Sequence, residues 1–199
     1  DIAAHLDGEV TEERQRKTQS LASFVKYLTS HERFDGDRKF IADLRKVRFE
    51  TPSGFNSNFF FHPVGIDNYQ NPLKEQTGSR ALCISPFVHD EAVQTLWENV
   101  TDELMLFGCR EELRNLDPQT LDGVRSFCIS DLIVDGESQE QGEDGDGEQF
   151  EQNLHAKLYV FQGESSQTLW FLGSANATKA AFDRNIEFLL ELRGTSAAA

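Results

Sequence analysis

Cysteine is scarce in this chain, and what there is does not cluster. Cys83, Cys109 and Cys128 are odd in number and far apart, which excludes a disulfide framework and a cysteine-built zinc site. The sequence reads them as buried thiols. Long apolar runs are missing too: none approaches the roughly 18 residues that carry a helix across a bilayer. No charged-then-apolar leader opens the chain, so a cytoplasmic protein is the expectation. Positive charge is in short supply, with 19 Lys and Arg against 34 Asp and Glu and a formal charge of −15. Phosphate recognition wants a basic surface, so long duplex DNA is not an expected partner. Histidines and carboxylates do not recur at metal-ligand spacing, and the expectation is no metal and no cofactor.

The charge deficit is uneven. Between Asp135 and Glu151 the chain reads DGESQEQGEDGDGEQFE, eight acids without a Lys or Arg. Such a segment is a solvated acidic loop by composition. Its Asp and Gly spacing hints at calcium, but Gln149 stands where a calcium loop needs its turn glycine. Elsewhere 38% apolar residues, including sixteen Phe, are enough for one substantial core.

Periodicity sorts the chain into two parts. DIAAHL is strand-like, TEERQRKTQSLASFVKYLTS is an amphipathic helix with Leu21, Phe24, Val25 and Leu28 on one face, and DRKFIADLRKV is a second helix. Residues 48 to 80 break into Pro, Gly and Asn and read as a linker or extended excursion. From residue 80 the texture alternates: strands at RALCISPF, ELMLFGC, GVRSFCISDLIV, LHAKLYVF, TLWFLGS and NIEFLLEL, with helices at HDEAVQTLWENV, EELRNL and ATKAAF between them. Strands alternating with helices make an α/β domain with a mixed, largely parallel central sheet. The expected boundaries are 1–79 for the helical segment and linker and 80–199 for the α/β domain.

Three short stretches carry chemistry. In LHAKLYVF, His155 and Lys157 are two apart, so on a strand they project to the same face as Tyr159 and Phe161. The next strand ends in GSAN, Gly173 to Asn176, where a helix is due to begin. Ser174 and Asn176 are good helix caps there, and the exposed N–H groups and helix dipole suit a phosphate. NIEFLLEL sets Glu187 in an apolar strand, where a carboxylate needs a partner, and an imidazole is the natural one. Together these residues form a coherent phosphoryl-transfer site. Glu187 fixes the tautomer of His155, His155 attacks phosphorus, and Lys157 and Asn176 hold the non-bridging oxygens with Ser174 in support. His89, after SPF, reads as a surface histidine at a helix start.

HAK at 155 to 157, GSAN at 173 to 176 and Glu187 resemble the HKD signature of the phospholipase D superfamily, whose pattern is HxK, an Asp, GSxN and a downstream acid. SPF after the first strand of the domain and GSANAT running into a helix are similar to that family as well, and the likeness covers about the last 120 residues. It implies a phospholipase D-like α-β-α sandwich and a metal-independent phosphodiesterase working through a phosphohistidine on His155. Nucleic acid is slightly favoured as substrate. A phospholipid substrate, and a non-catalytic phosphate-binding or interaction module, are the alternatives.

Two departures qualify the resemblance. Gln162 stands where the motif has its Asp, a change expected to touch local folding more than chemistry. The family site also needs two HxK motifs, and His5, His31, His62 and His89 all lack the lysine two residues on. The second half is therefore expected from a homodimer partner or from the rest of a longer chain, the latter being favoured by the abrupt start, which reads as the end of an upstream half.

Overall fold

The computed structural model describes residues 3–6, 12–30, 37–128, 155–163 and 167–195. The acidic stretch 135–151 lies outside the described residues. Two sheets form. Strands β1 (Ala3–Leu6) and β2 (Val47–Glu50) pair antiparallel, with helices α1 (Glu12–Thr29) and α2 (Asp37–Leu44) between them in the chain.

The main sheet has seven strands: β3 (Phe55–Val64), β4 (Gly78–Ile84), β5 (Val100–Gly108), β6 (Val124–Cys128), β7 (Leu158–Gln162), β8 (Gln167–Gly173) and β9 (Glu187–Thr195). Their spatial order is β3-β9-β8-β7-β4-β5-β6. β4, β5 and β6 pair in parallel, while β4–β7, β7–β8, β8–β9 and β3–β9 pair antiparallel. Only β7 and β9 therefore run against the other strands. The sheet is mixed, and largely parallel in strand direction. Helix α3 (Asp90–Glu98) makes the β4-to-β5 crossover, α4 (Arg110–Asn115) the β5-to-β6 crossover, and α5 (Lys179–Asp183) joins β8 to β9.

Strand alternation decides what each face buries. One face carries Ala81, Cys83, Leu104, Leu106, Tyr159, Phe161, Phe171 and Leu189, which pack with Ala92, Val93 and Leu96 of α3 and with Ala181 and Phe182 of α5. Asp90 and Glu91 in the first turn of α3 oppose its dipole favourably. The other face gathers Phe59, Phe61 and Leu192 against Leu21 of α1, Phe49 and Trp170. Phe24 of α1 stacks on Phe188 with ring centroids 4.8 Å apart. Helices on both faces make the α-β-α layering, and among the described residues none is long and apolar enough to cross a membrane.

Two expectations change. The stretch expected as a linker supplies β3, an edge strand along the length of β9, so the sheet reaches back to Phe55. Its run FNSNFFFHPV alternates apolar and polar residues less cleanly than a half-buried strand, which hid the pairing. The cysteines are not all buried: Cys83 is, with its thiol pushed well up by burial, whereas Cys109 is half-buried and Cys128 exposed.

Candidate active site at one end of the sheet

Sheet direction sets the site. The C-terminal ends of β3, β4, β5 and β8 and the N-terminal ends of β7 and β9 share one edge. Lys157, Ser85, Gly173, Ser174 and Glu187 therefore meet there from four neighbouring strands. Open α/β sheets bind ligands beyond the carboxyl ends of their parallel strands.

His155 and Lys157 were expected on the strand. Instead β7 begins at Leu158, and the two residues precede it in an extended lead-in. Only the carbonyl of Lys157 joins the sheet there, accepting from Gly173 N–H at 3.3 Å. The first ladder pair is Leu158 with Ile84 of β4 and Leu172 of β8. His155 is exposed and Lys157 half-buried, and the Lys157 ammonium donates to the His155 carbonyl at 3.0 Å. Burial pushes the Lys157 ammonium below its ordinary range, while the charge of Glu187 pulls it the other way.

Glu187 is the first residue of β9 rather than a mid-strand one, and only 8% exposed. Ser174 Oγ donates to its Oε2 at 2.5 Å, and Asn185 Nδ2 donates to its Oε1 at 3.3 Å. The expected contact with the His155 ring is absent from the hydrogen bonds of the described residues. Glu187 instead has both oxygens held by its neighbours and faces Lys157 as a counter-charge.

Ser174 and Asn176 do not cap a helix. α5 starts at Lys179, two residues later than ATKAAF suggested, with Thr178 as its cap, whose hydroxyl accepts from Ala181 N–H at 3.3 Å. Two of the intervening N–H groups are engaged elsewhere: Ser174 N–H goes to the Phe188 carbonyl at 3.1 Å and Ala177 N–H to Ser85 Oγ at 2.9 Å. The N-terminal end of the helix thus lies at Thr178 rather than at Ser174 or Asn176. Side-chain direction is what remains, because Ala175 and Ala177 are fully buried while Ser174 is exposed and Asn176 half-buried.

Three further residues fix the geometry. Ser85, fully buried at the end of β4, donates to the Phe87 carbonyl at 2.7 Å and lies 3.5 Å from Asn176 Oδ1. With its bond to Ala177 it ties the SPF turn to the GSAN turn. The Tyr159 phenol, kept protonated by burial, donates to the Ala175 carbonyl at 3.0 Å. Asn185 was the residue most easily missed, since an Asn after a short helix reads as a stop signal. Gly173 has a steric reason: a Cβ there would sit 1.9 Å from the Phe188 carbonyl oxygen. His89 is exposed at the start of α3, and Gln162 lies at the far end of β7, its carbonyl accepting from Ser79 Oγ at 3.2 Å.

No family model matches the sequence, and no curated protein matches it. Among solved structures the chain is similar to yeast tyrosyl-DNA phosphodiesterase, with a TM-score of 0.45 and 16% identity over 67% of this chain and 31% of that one. It is similar to NucT from Helicobacter pylori, with a TM-score of 0.44 and 15% identity over 71% of this chain and 89% of that one. Nuc from Salmonella typhimurium, a phospholipase D family member, gives a TM-score of 0.38 and 10% identity over 71% and 86% of the two chains. The match thus spans about a third of the yeast enzyme's length.

Proposed function

We propose that this chain is a phospholipase D-like domain that supplies one half of a phosphodiesterase site, with nucleic acid favoured over phospholipid. The observation that supports this reading is the convergence of Lys157, Ser174, Asn176 and Glu187, with His155 beside them, at one sheet edge. A phosphodiester placed there meets an ammonium and an amide for its non-bridging oxygens.

In the first step a ring nitrogen of His155 forms a bond to phosphorus, and the bond from phosphorus to the leaving oxygen breaks. That oxygen takes a proton from a second histidine, contributed by a homodimer partner or by the rest of a longer chain. Water then attacks the phosphohistidine, giving its proton to the same second histidine, and the P–N bond breaks to restore His155. Lys157 stabilises the charge that builds on phosphorus oxygens in both steps. Glu187 keeps Lys157 charged and, in the complete site, takes the ring N–H of His155. Because residues 155–156 precede the β7 ladder, His155 can turn toward Glu187 without breaking a strand bond.

Hydrolysis of methyl p-nitrophenyl phosphate in excess EDTA, with the mass of the active peak measured, tests the reading. Activity that falls at least about a thousandfold in His155→Ala is the expected result. Activity indifferent to that substitution overturns it. Phosphate binding without turnover by a folded dimer would favour the non-catalytic module, whereas a folded monomer without turnover would place the second histidine on the rest of a longer chain.

A further inference from the structure

A cleft of about 490 Å³ opens beside the site, within the size range of small-molecule pockets. The turn after β3 separates the two. Gly65, at φ +77°, lines the cleft and lies so close to the start of β9 that a Cβ on it would sit 2.1 Å from the Asn185 carbonyl oxygen. Asn185 in turn holds Glu187. One turn of backbone thus has the candidate catalytic carboxylate on one side and the cleft on the other.

The lining has a definite chemistry. Tyr69 presents a half-buried ring and Phe182 a buried one. Lys74 is occupied, its ammonium donating to Asp183 at 2.6 Å. Asn71 is occupied as well, accepting from Leu73 N–H at 3.0 Å. Gln70 and Glu75 line the same cleft, and among the described residues neither side chain has a hydrogen-bond partner. What the cleft offers a ligand is a flat aromatic wall, an amide with both donor and acceptor, and a carboxylate acceptor.

That combination selects. An acyl chain entering here would lie against the exposed Gln70 amide, the exposed Glu75 carboxylate and the Lys74–Asp183 ion pair, none of which it can hydrogen-bond. A phosphate would face an unneutralised carboxylate with its nearest ammonium already taken. A nucleobase with an exocyclic amine fits each group: its ring lies on Tyr69, its amine donates to Glu75, and Gln70 meets the neighbouring ring edge. We propose that this cleft is a nucleobase subsite flanking the scissile phosphate, so that the substrate is a single-stranded nucleic acid whose unstacked, amine-bearing base enters it. The proposal rests on the phosphodiesterase reading above and names the substrate class of that same site.

The test compares oligo-dC, oligo-dT and methyl p-nitrophenyl phosphate on the intact chain, wild type against Tyr69→Ala, Tyr69→Phe and Glu75→Gln. Affinity is read by fluorescence anisotropy of labelled oligonucleotide and turnover by product release. Oligo-dC is expected to bind more tightly than oligo-dT. Tyr69→Ala should weaken oligo-dC binding about tenfold or more, as loss of one base–aromatic stack does, while Tyr69→Phe retains it. Glu75→Gln should erase the preference for dC. Turnover of the small diester should be unchanged in all three variants. Equal binding of dC and dT, or oligonucleotide binding indifferent to Tyr69→Ala, overturns the subsite even where His155-dependent hydrolysis is present. Base-selective binding without hydrolysis of any diester leaves the subsite standing and removes the catalytic reading instead.

Discussion

Ser174 and Glu187 are joined by a hydrogen bond of 2.5 Å, and the same Ser174 hydroxyl accepts the Phe188 N–H at 3.0 Å. One side chain therefore pins both the backbone and the carboxylate at the start of β9. Ser174→Ala removes a charge-assisted bond to a buried carboxylate, worth about 1.5–3 kcal/mol. The variant should unfold at lower urea concentration, and its kcat on the small diester should fall about tenfold or more. Unchanged kcat in a folded variant would mean that Glu187 does not act in catalysis.

Asn185 holds the other oxygen of Glu187, at 3.3 Å, and its own N–H is fixed by the Ala180 carbonyl at 2.8 Å. Asn185→Ala removes the bond that holds Oε1 of Glu187 in place, so kcat on the small diester should fall severalfold with KM little changed, and Asn185→Asp, which sets a like charge against the carboxylate, should lower it further. An unchanged kcat in folded Asn185→Ala would reduce this residue to a structural one.

Lys157 and Glu187 bear on each other through charge. Burial lowers the Lys157 pKa and Glu187 raises it. Glu187→Gln deletes the raising contribution, so the ammonium gives up its proton at lower pH than in the wild type. If charged Lys157 stabilises the transition state, the basic limb of activity shifts to lower pH in Glu187→Gln. A shift to higher pH, or none, would show that Lys157 is not the group titrating there.

Candidate site residues could be named from the sequence more readily than their surroundings, for physical reasons. Lys157, Ser174, Asn176 and Glu187 stand out by residue type and local spacing, although Lys157 precedes the strand expected to carry it and Ser174 and Asn176 do not cap the helix expected after them. The role of β3 was not visible, since an edge strand rich in Phe and interrupted by Asn and Pro is recognised only by pairing with β9, more than a hundred residues away. The cap at GSAN was misplaced because Ser and Asn favour many turns, and what decided it was Ser85, a buried hydroxyl 92 residues distant that takes the Ala177 N–H. The partner of Glu187 was expected to be an imidazole on chemical grounds. Nearby Ser174 and Asn185 supply bonds that a sequence reading had no means to rank.

Glu191 forms a second carboxylate centre on β9, away from the site. Its Oε2 lies 2.7 Å from His62 Nε2, its Oε1 accepts from Arg193 Nε at 2.7 Å, and Arg193 in turn sits over the Phe60 ring at 4.8 Å. Burial pushes the Glu191 carboxyl up, but hydrogen bonds from His62 and Arg193 and their charge outweigh it, and the net direction is below the ordinary value of 4.5. A folded-state pKa below the unfolded one contributes stability that is present above about pH 4.5 and is lost as pH falls through the folded value. Glu191→Gln should therefore cost about 2 kcal/mol at pH 7, where it leaves Arg193 and His62 without their carboxylate. The cost should shrink as pH is lowered below 4.5 and the wild-type carboxyl takes up its proton. Urea unfolding of both proteins at pH 7 and across a series of lower pH values measures this, and a difference that persists undiminished down the series would assign the effect to packing rather than to charge.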